Sequence, residues 1–154
     1  MQLAAGKQPR GTLAAMYDSP TTPSRLFFVY DSISHRKFLV DTGAEVSVLP
    51  ATPQDRKRPP LYHLTAVNDT NIPVYAERSL TLNLGLRRSF KWIFLVAAVS
   101  HAILGADFLQ RYHLSVDMAR RKLTDSLTHL YVTGYRTTVR STTILCGTTD
   151  PSTS

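Results

Sequence analysis

The stretch FLVDTGAEVSVLP, residues 38–50, carries an apolar run into an aspartate and follows it with Thr-Gly-Ala. Burying a charge without a partner is expensive. Asp41 therefore either stands at the mouth of a cleft or shares its burial with another group. A carboxylate so placed is a candidate general acid or base. Taken alone, the tripeptide also fits a strand-end aspartate that caps a turn.

The other chemistry-bearing residues form no comparable pattern. His63, His101 and His113 lack the spacing of a metal-binding helix such as His-Glu-x-x-His, and read as surface or core histidines. No phosphate-cradling Gly-rich loop is present. Cys146 is the only cysteine, which excludes an intrachain disulfide and argues against a Cys-based zinc site. The basic run DRKRPP reads as a solvated loop. In RSFKW, alternation sets Phe90 and Trp92 on a core face.

These residues need a scaffold, and the chain has 154 residues with 43% apolar, enough for one domain with tails. Eighteen Lys and Arg against 11 Asp and Glu give a net charge of +7. That balance suits acidic partners such as nucleic acid, and equally a soluble surface. The first residues have no sustained apolar stretch of signal-peptide type. The longest apolar run, residues 92–99, is far short of the roughly 20 needed to span a bilayer. An intracellular, reducing setting without membrane contact is expected.

Residues 1–24 mix Gly, Pro, Thr and Ser without periodicity and read as a flexible leader. RLFFVYD and KFLVD, separated by SISHR, read as a β-hairpin, and VSVLP as a strand ended by Pro50. ATPQDRKRPP is poor material for strand or helix. LYHLTAV and IPVYA flank NDTN, whose residues tolerate hairpin-turn geometry. SLTLNLGL alternates as a half-buried strand does, and RSFKWIFLVAAV reads as a strand with a buried end. HAILGADFLQRYHL starts as a buried strand, breaks at Gly105 and continues as a short helix with Asp107 near its N-terminus. SVDMARRKLTD reads as a hairpin. Residues 25–125 then form an all-β domain with one short helix, and residues 126–154 a Ser/Thr-rich tail or linker with a possible last strand.

Asp41-Thr42-Gly43 after an apolar strand, with AILGADFL about sixty residues later, resembles the retropepsin family, the retroviral-type aspartic proteases. The wording from residue 25 to 125 looks particularly like the protease segment of gypsy-type retrotransposon Gag-Pol polyproteins. The resemblance implies a single-domain closed barrel with a flap hairpin, active as a homodimer. It implies an endopeptidase that processes its own polyprotein, in the cytoplasm or within a virus-like particle, and needs no metal or cofactor.

Amide hydrolysis asks for a base to activate water and an acid to protonate the carbonyl oxygen or leaving nitrogen. Two close carboxylates do both, because they share one proton and titrate as a pair. With one Asp-Thr-Gly in the chain, the second carboxylate is inferred to be Asp41 of another copy. By resemblance, Thr42 hydrogen-bonds beneath the pair and Gly43 leaves room for the turn and the water. Ala44 and Glu45 match positions that meet substrate backbone, Glu45 being longer than the Asp often found there. The flap falls on residues 67–73, with Val67, Asn68, Asp69, Thr70, Asn71 and Ile72 facing substrate. The family tip is usually richer in glycine. Ile103, Leu104 and Gly105 pack beside the Asp41 loop, and Asp107 is structural.

The main rival is a catalytically silent retropepsin-like module for binding or dimerisation; the intact Asp41-Thr42-Gly43 argues against it. A basic nucleic-acid-binding module is a third reading. Nucleic acid is not expected as a partner of the domain itself.

Overall fold

The structure is a computed structural model and describes residues 26–137 and, as backbone, 144–149. The leader expected over residues 1–24 lies outside the described residues. The RLFFVYD and KFLVD runs form β1 (Phe27–Asp31) and β2 (Arg36–Val40), an antiparallel hairpin with Val29 opposite Phe38. Asp31 closes it. Its buried carboxylate accepts bonds from Ser34 Oγ at 2.5 Å, the Ser34 and Ile33 amides, and the Asn83 amide at 2.7 Å. Burial alone would raise this carboxyl, but those donors outweigh it and hold it below the usual range.

After β2 comes β3 (Val48–Pro50). The polar loop beyond it holds one 3₁₀ turn, Asp55–Lys57, where no helix was expected. Thr52 and Asp55 exchange bonds across the start of that turn, and Arg78 pairs with the Asp55 carboxylate at 2.9 Å. β4 (Tyr62–Ala66) and β5 (Asn71–Asn83) follow as a hairpin. The IPVYA and SLTLNLGL segments are one continuous strand, its register shifted by an irregularity between Val74 and Ala76. Such a bulge bends a strand without ending it. Next come β6 (Ser89–Ala97), β7 (Ala102–Leu104) and the helix α1 (Ala106–Arg111).

β8 (Leu114–Asp117) and β9 (Lys122–Asp125) form the expected hairpin, and β10 (Tyr131–Thr133) adds a third strand to it. β11 (Tyr135–Arg136) pairs with β1, and β12 (Ile144–Thr149) with β4. Residues beyond Asp125 thus add strands to both sheets. Arg88 ties the small sheet to the helix end: its Nε donates to the buried Asp125 at 2.8 Å and its Nη2 to the Tyr112 carbonyl at 3.1 Å.

The larger sheet has nine strands in the order β11-β1-β2-β7-β3-β6-β5-β4-β12. Its outermost strands are β11 and β12, so the described sheet is open, and the closed barrel expected from sequence is corrected. The ends do not meet because β1 and β4 are each covered by a separate C-terminal strand instead of by each other. A sheet whose edges are so covered needs no closure to protect them.

The centre of the sheet is buried on both faces. Phe38 and Val40 of β2 and Leu104 of β7 join one apolar cluster with Phe90, Phe94 and Phe108. Leu39 and Ile103, alternating with them, join the other with Val46, Val48, Leu64 and Ile72. That two-sided burial is why AIL reads as an unbroken apolar run.

Candidate functional site

β2 and β3 are consecutive in the chain, yet β7 lies between them, parallel to β2 and antiparallel to β3. The loop over residues 41–47 must therefore step across the C-terminal end of β7. Strand order, more than any local signal, brings Asp41 to Gly105.

The loop is fastened at each step. The Asp41 amide donates to the Leu104 carbonyl at 3.1 Å, and the Ala44 amide to the Asp41 carbonyl at 3.1 Å. Gly43 N–H donates to Asp41 Oδ1 at 2.9 Å, which holds the carboxylate against its own turn. The Ala106 amide donates to the Ala44 carbonyl at 2.7 Å. Gly105 N–H donates to Ser47 Oγ at 2.8 Å.

Gly105 is required here by space. A Cβ on it would lie 2.6 Å from the Val46 carbonyl oxygen and 2.7 Å from that of Ala44. Its φ of −96° is open to any residue, so the constraint is contact with main chain and not conformation.

Asp107 holds the far side of the loop. Its carboxylate accepts Ser47 Oγ at 2.7 Å and the Ser47 amide at 3.1 Å, with the Phe108 amide at 2.7 Å. Sequence reasoning placed Asp107 as structural but missed its partner, although Ser47 is a small polar residue in an otherwise apolar strand. Burial raises the Asp107 carboxyl above its usual value of 3.8, and the bonds from Ser47 and Phe108 offset this only in part. An acid raised on folding takes up a proton between its two values. Its contribution to stability therefore falls as pH rises through the window above 3.8. Replacing Asp107→Asn removes the titration. The stability of wild type relative to this variant is expected to decline as pH rises above 3.8, read by urea unfolding. A difference that is flat, or that grows with pH, contradicts the assignment.

Asp41 is fully buried in the single chain, whereas Thr42 beside it is exposed and Gly43 half-buried. Ala44 is buried, and both its backbone groups are bonded, the amide to Asp41 and the carbonyl to Ala106. Glu45 is half-buried. Ile103, Leu104, Gly105 and Asp107 lie against this loop.

The hairpin turn over residues 67–70 stands apart from it. Asp69 takes a left-handed φ of 65°, the Ala66 amide donates to the Thr70 carbonyl at 2.8 Å, and Asn68 Oδ1 accepts the Thr70 amide. Asn68, Asp69, Thr70 and Asn71 are exposed and Val67 is half-buried. Ile72 at the base packs in the same apolar cluster as Ala44 and Val46, so the hairpin is rooted beside the Asp41 loop. Among the described residues, no group of three or more His, Cys, Asp or Glu is placed to hold a metal ion. No described helix is long and apolar enough to cross a membrane.

The chain matches no protein-family model and no curated protein sequence. Solved structures do match. The EIAV protease complexed with the inhibitor HBY-793 aligns with a TM-score of 0.43 at 25% identity, over 64% of this chain and 95% of that one. The retroviral protease-like domain of Ddi1 from Leishmania major aligns with a TM-score of 0.52 at 19% identity, over 71% of this chain and 93% of that one. The described residues, mostly β with one short helix and with the Asp-Thr-Gly loop seated on a central strand, thus have a retropepsin-like fold.

Proposed function

We propose that this chain is an aspartic endopeptidase active as a homodimer, each copy supplying Asp41 to a shared site. The observation that carries the reading is the seat of the single Asp-Thr-Gly on this fold: a buried carboxylate at the end of β2, in a loop locked onto Gly105 and Asp107. The exposed hydroxyl-bearing Thr42 next to it supports a second copy at that point.

In such a pair one carboxylate is ionised and one protonated, since like charges so close resist double ionisation. The ionised Asp41 takes a proton from water as the water oxygen attacks the peptide carbonyl carbon. The protonated Asp41 gives its proton to the carbonyl oxygen. On collapse, the protonated carboxyl gives its proton to the leaving nitrogen, the ionised one takes a proton from a hydroxyl of the tetrahedral intermediate, and the C–N bond breaks, leaving the pair with one proton as before. No metal or cofactor enters. The hairpin over residues 67–73 would act as the flap, closing over an extended peptide and excluding water. The Ala44 amide and carbonyl are already committed to Asp41 and Ala106. The substrate proposed is a polyprotein of Gag-Pol type, cleaved in the cytoplasm or within a particle.

One Asp per chain makes activity depend on assembly. Specific activity on a peptide is expected to fall on dilution, in step with dimer dissociation measured by sedimentation. A monomer whose specific activity is unchanged on dilution overturns the shared site. A dimer that cleaves nothing is the silent binding module instead.

A further inference from the structure

Away from the Asp41 loop, one surface carries a pattern that the protease reading does not use. Tyr30 of β1 lies opposite Lys37 of β2, and Phe28 lies opposite Tyr135 of β11, which sets Tyr30, Lys37 and Tyr135 on one face. Lys37 Nζ is 5.8 Å from the centre of the Tyr135 ring. One residue before Tyr135, Gly134 makes two bonds to Arg121: its amide donates to the Arg121 carbonyl at 2.6 Å, and the Arg121 side-chain Nε donates to its carbonyl at 3.4 Å. Lys122 follows, opposite Thr133, with its Nζ 4.1 Å from the centre of the Tyr131 ring. The two cation–ring pairs are thus joined through Gly134 and Arg121.

The rings are open to solvent, Tyr131 at 55%, Tyr135 at 58% and Tyr30 at 39%. The cations are uncompensated, because none of the ion pairs among the described residues involves Lys37, Arg121 or Lys122. The nearby carboxylates are spent elsewhere, Asp31 on its turn, Asp117 on Arg120 and Asp125 on Arg88.

From this arrangement we infer that the surface carrying the two cation–ring pairs, one on β2 and β11 of the larger sheet and one on β9 and β10 of the smaller, binds single-stranded nucleic acid. The unit of the pattern is a cation beside an exposed ring, and it occurs twice, as Lys37 with Tyr135 and as Lys122 with Tyr131. A single strand repeats in the same way, a phosphate beside a base. Each lysine can swing from its ring to a phosphate and leave the ring to stack on a base. Tyr131 and Tyr135 are four residues apart, at most about 13 Å at ~3.3 Å per residue, which a few nucleotides span. An acidic peptide would satisfy the lysines but has no planar groups for the rings. Duplex DNA keeps its bases stacked inward. No single run of the sequence marks this surface, because its residues come from five different strands.

The test is fluorescence anisotropy with a labelled single strand of roughly 20 uridines, longer than the ~4–16 nucleotides such sites cover. Binding is expected at low salt, with log K falling against log salt at a slope of about −2 for three phosphate contacts. Lys37→Glu with Lys122→Glu should weaken it at least about tenfold. Lys57→Glu with Arg58→Glu makes the same change in net charge on a distant loop and should leave affinity within about twofold. Tyr131→Ala with Tyr135→Ala should cost at least about thirtyfold on the strand and nothing on heparin, a polyanion without bases. Tyr131→Phe with Tyr135→Phe keeps the rings and should retain binding, which separates loss of stacking from loss of fold. No binding at low salt overturns the inference. So does equal loss from both charge-reversed pairs, equal loss on heparin and strand, or duplex bound as tightly as single strand.

Discussion

Asp41→Asn is expected to reduce peptide cleavage by about 10²–10⁴-fold or more, the range lost when an acid–base group is removed. Asn keeps the size of the side chain, and its Oδ1 can still accept the Gly43 amide now bonded at 2.9 Å. The turn and the loop seated on Gly105 should therefore persist, and far-UV circular dichroism and the melting temperature should be little changed. What disappears is the ability of two carboxylates to hold one proton between them. The measurement is the initial rate on a pooled peptide library for both proteins, from mildly acid to neutral pH. In wild type the rate should be highest on the acid side of neutral, because activity needs the singly protonated pair. A wild-type rate that climbs steadily toward alkaline pH contradicts the chemistry. Equal rates in the two proteins place the activity at another site or in a contaminant.

The local elements were legible because their signals are local. The β1–β2 and β8–β9 hairpins and the turn at residues 67–70 follow from alternation broken by turn formers, and the helix from the break at Gly105. Strand order is not a local property. Nothing in the residues 38–50 says that β7 will insert between β2 and β3, yet that insertion brings Asp41 to the Leu104 carbonyl. The open sheet escaped for the same reason, since β1 and β4 are covered by strands from a segment read as tail.

Long-range polar ties were equally invisible. Asp31 reads as an ordinary turn aspartate, but it also accepts an amide 52 residues away at Asn83. Arg88 opens the RSFKW run, and only folding sets it against Asp125, 37 residues on. The Ser47–Asp107 tie spans 60 residues and fixes the loop that carries Asp41. The candidate site was legible as a motif, and its mechanical support was not.

Gly105→Ala is expected to destabilise the protein by about 2–3 kcal/mol, the upper part of the usual range for overpacking. At a φ of −96°, exchanging glycine for alanine would by itself stabilise by about 0.4–1 kcal/mol, through the unfolded chain. Contact reverses the sign. The new Cβ would meet the carbonyl oxygens of Val46 and Ala44 at 2.6 and 2.7 Å, and main chain cannot rotate away as a flexible side chain can. Relief requires the loop over residues 41–47 to lift from β7, which lengthens the bonds from Gly105 to Ser47 and from Ala106 to the Ala44 carbonyl. A fall in melting temperature of roughly 5–15 °C is the expected reading for a domain of this size. Because that loop also carries Asp41, the fraction that remains folded should cleave peptide more slowly, whereas a lesion confined to stability would leave its rate unchanged. A melting temperature equal to or above that of wild type would mean that the Asp41 loop does not rest on Gly105. The seat that holds the carboxylate at the proposed dyad would then have to be sought elsewhere.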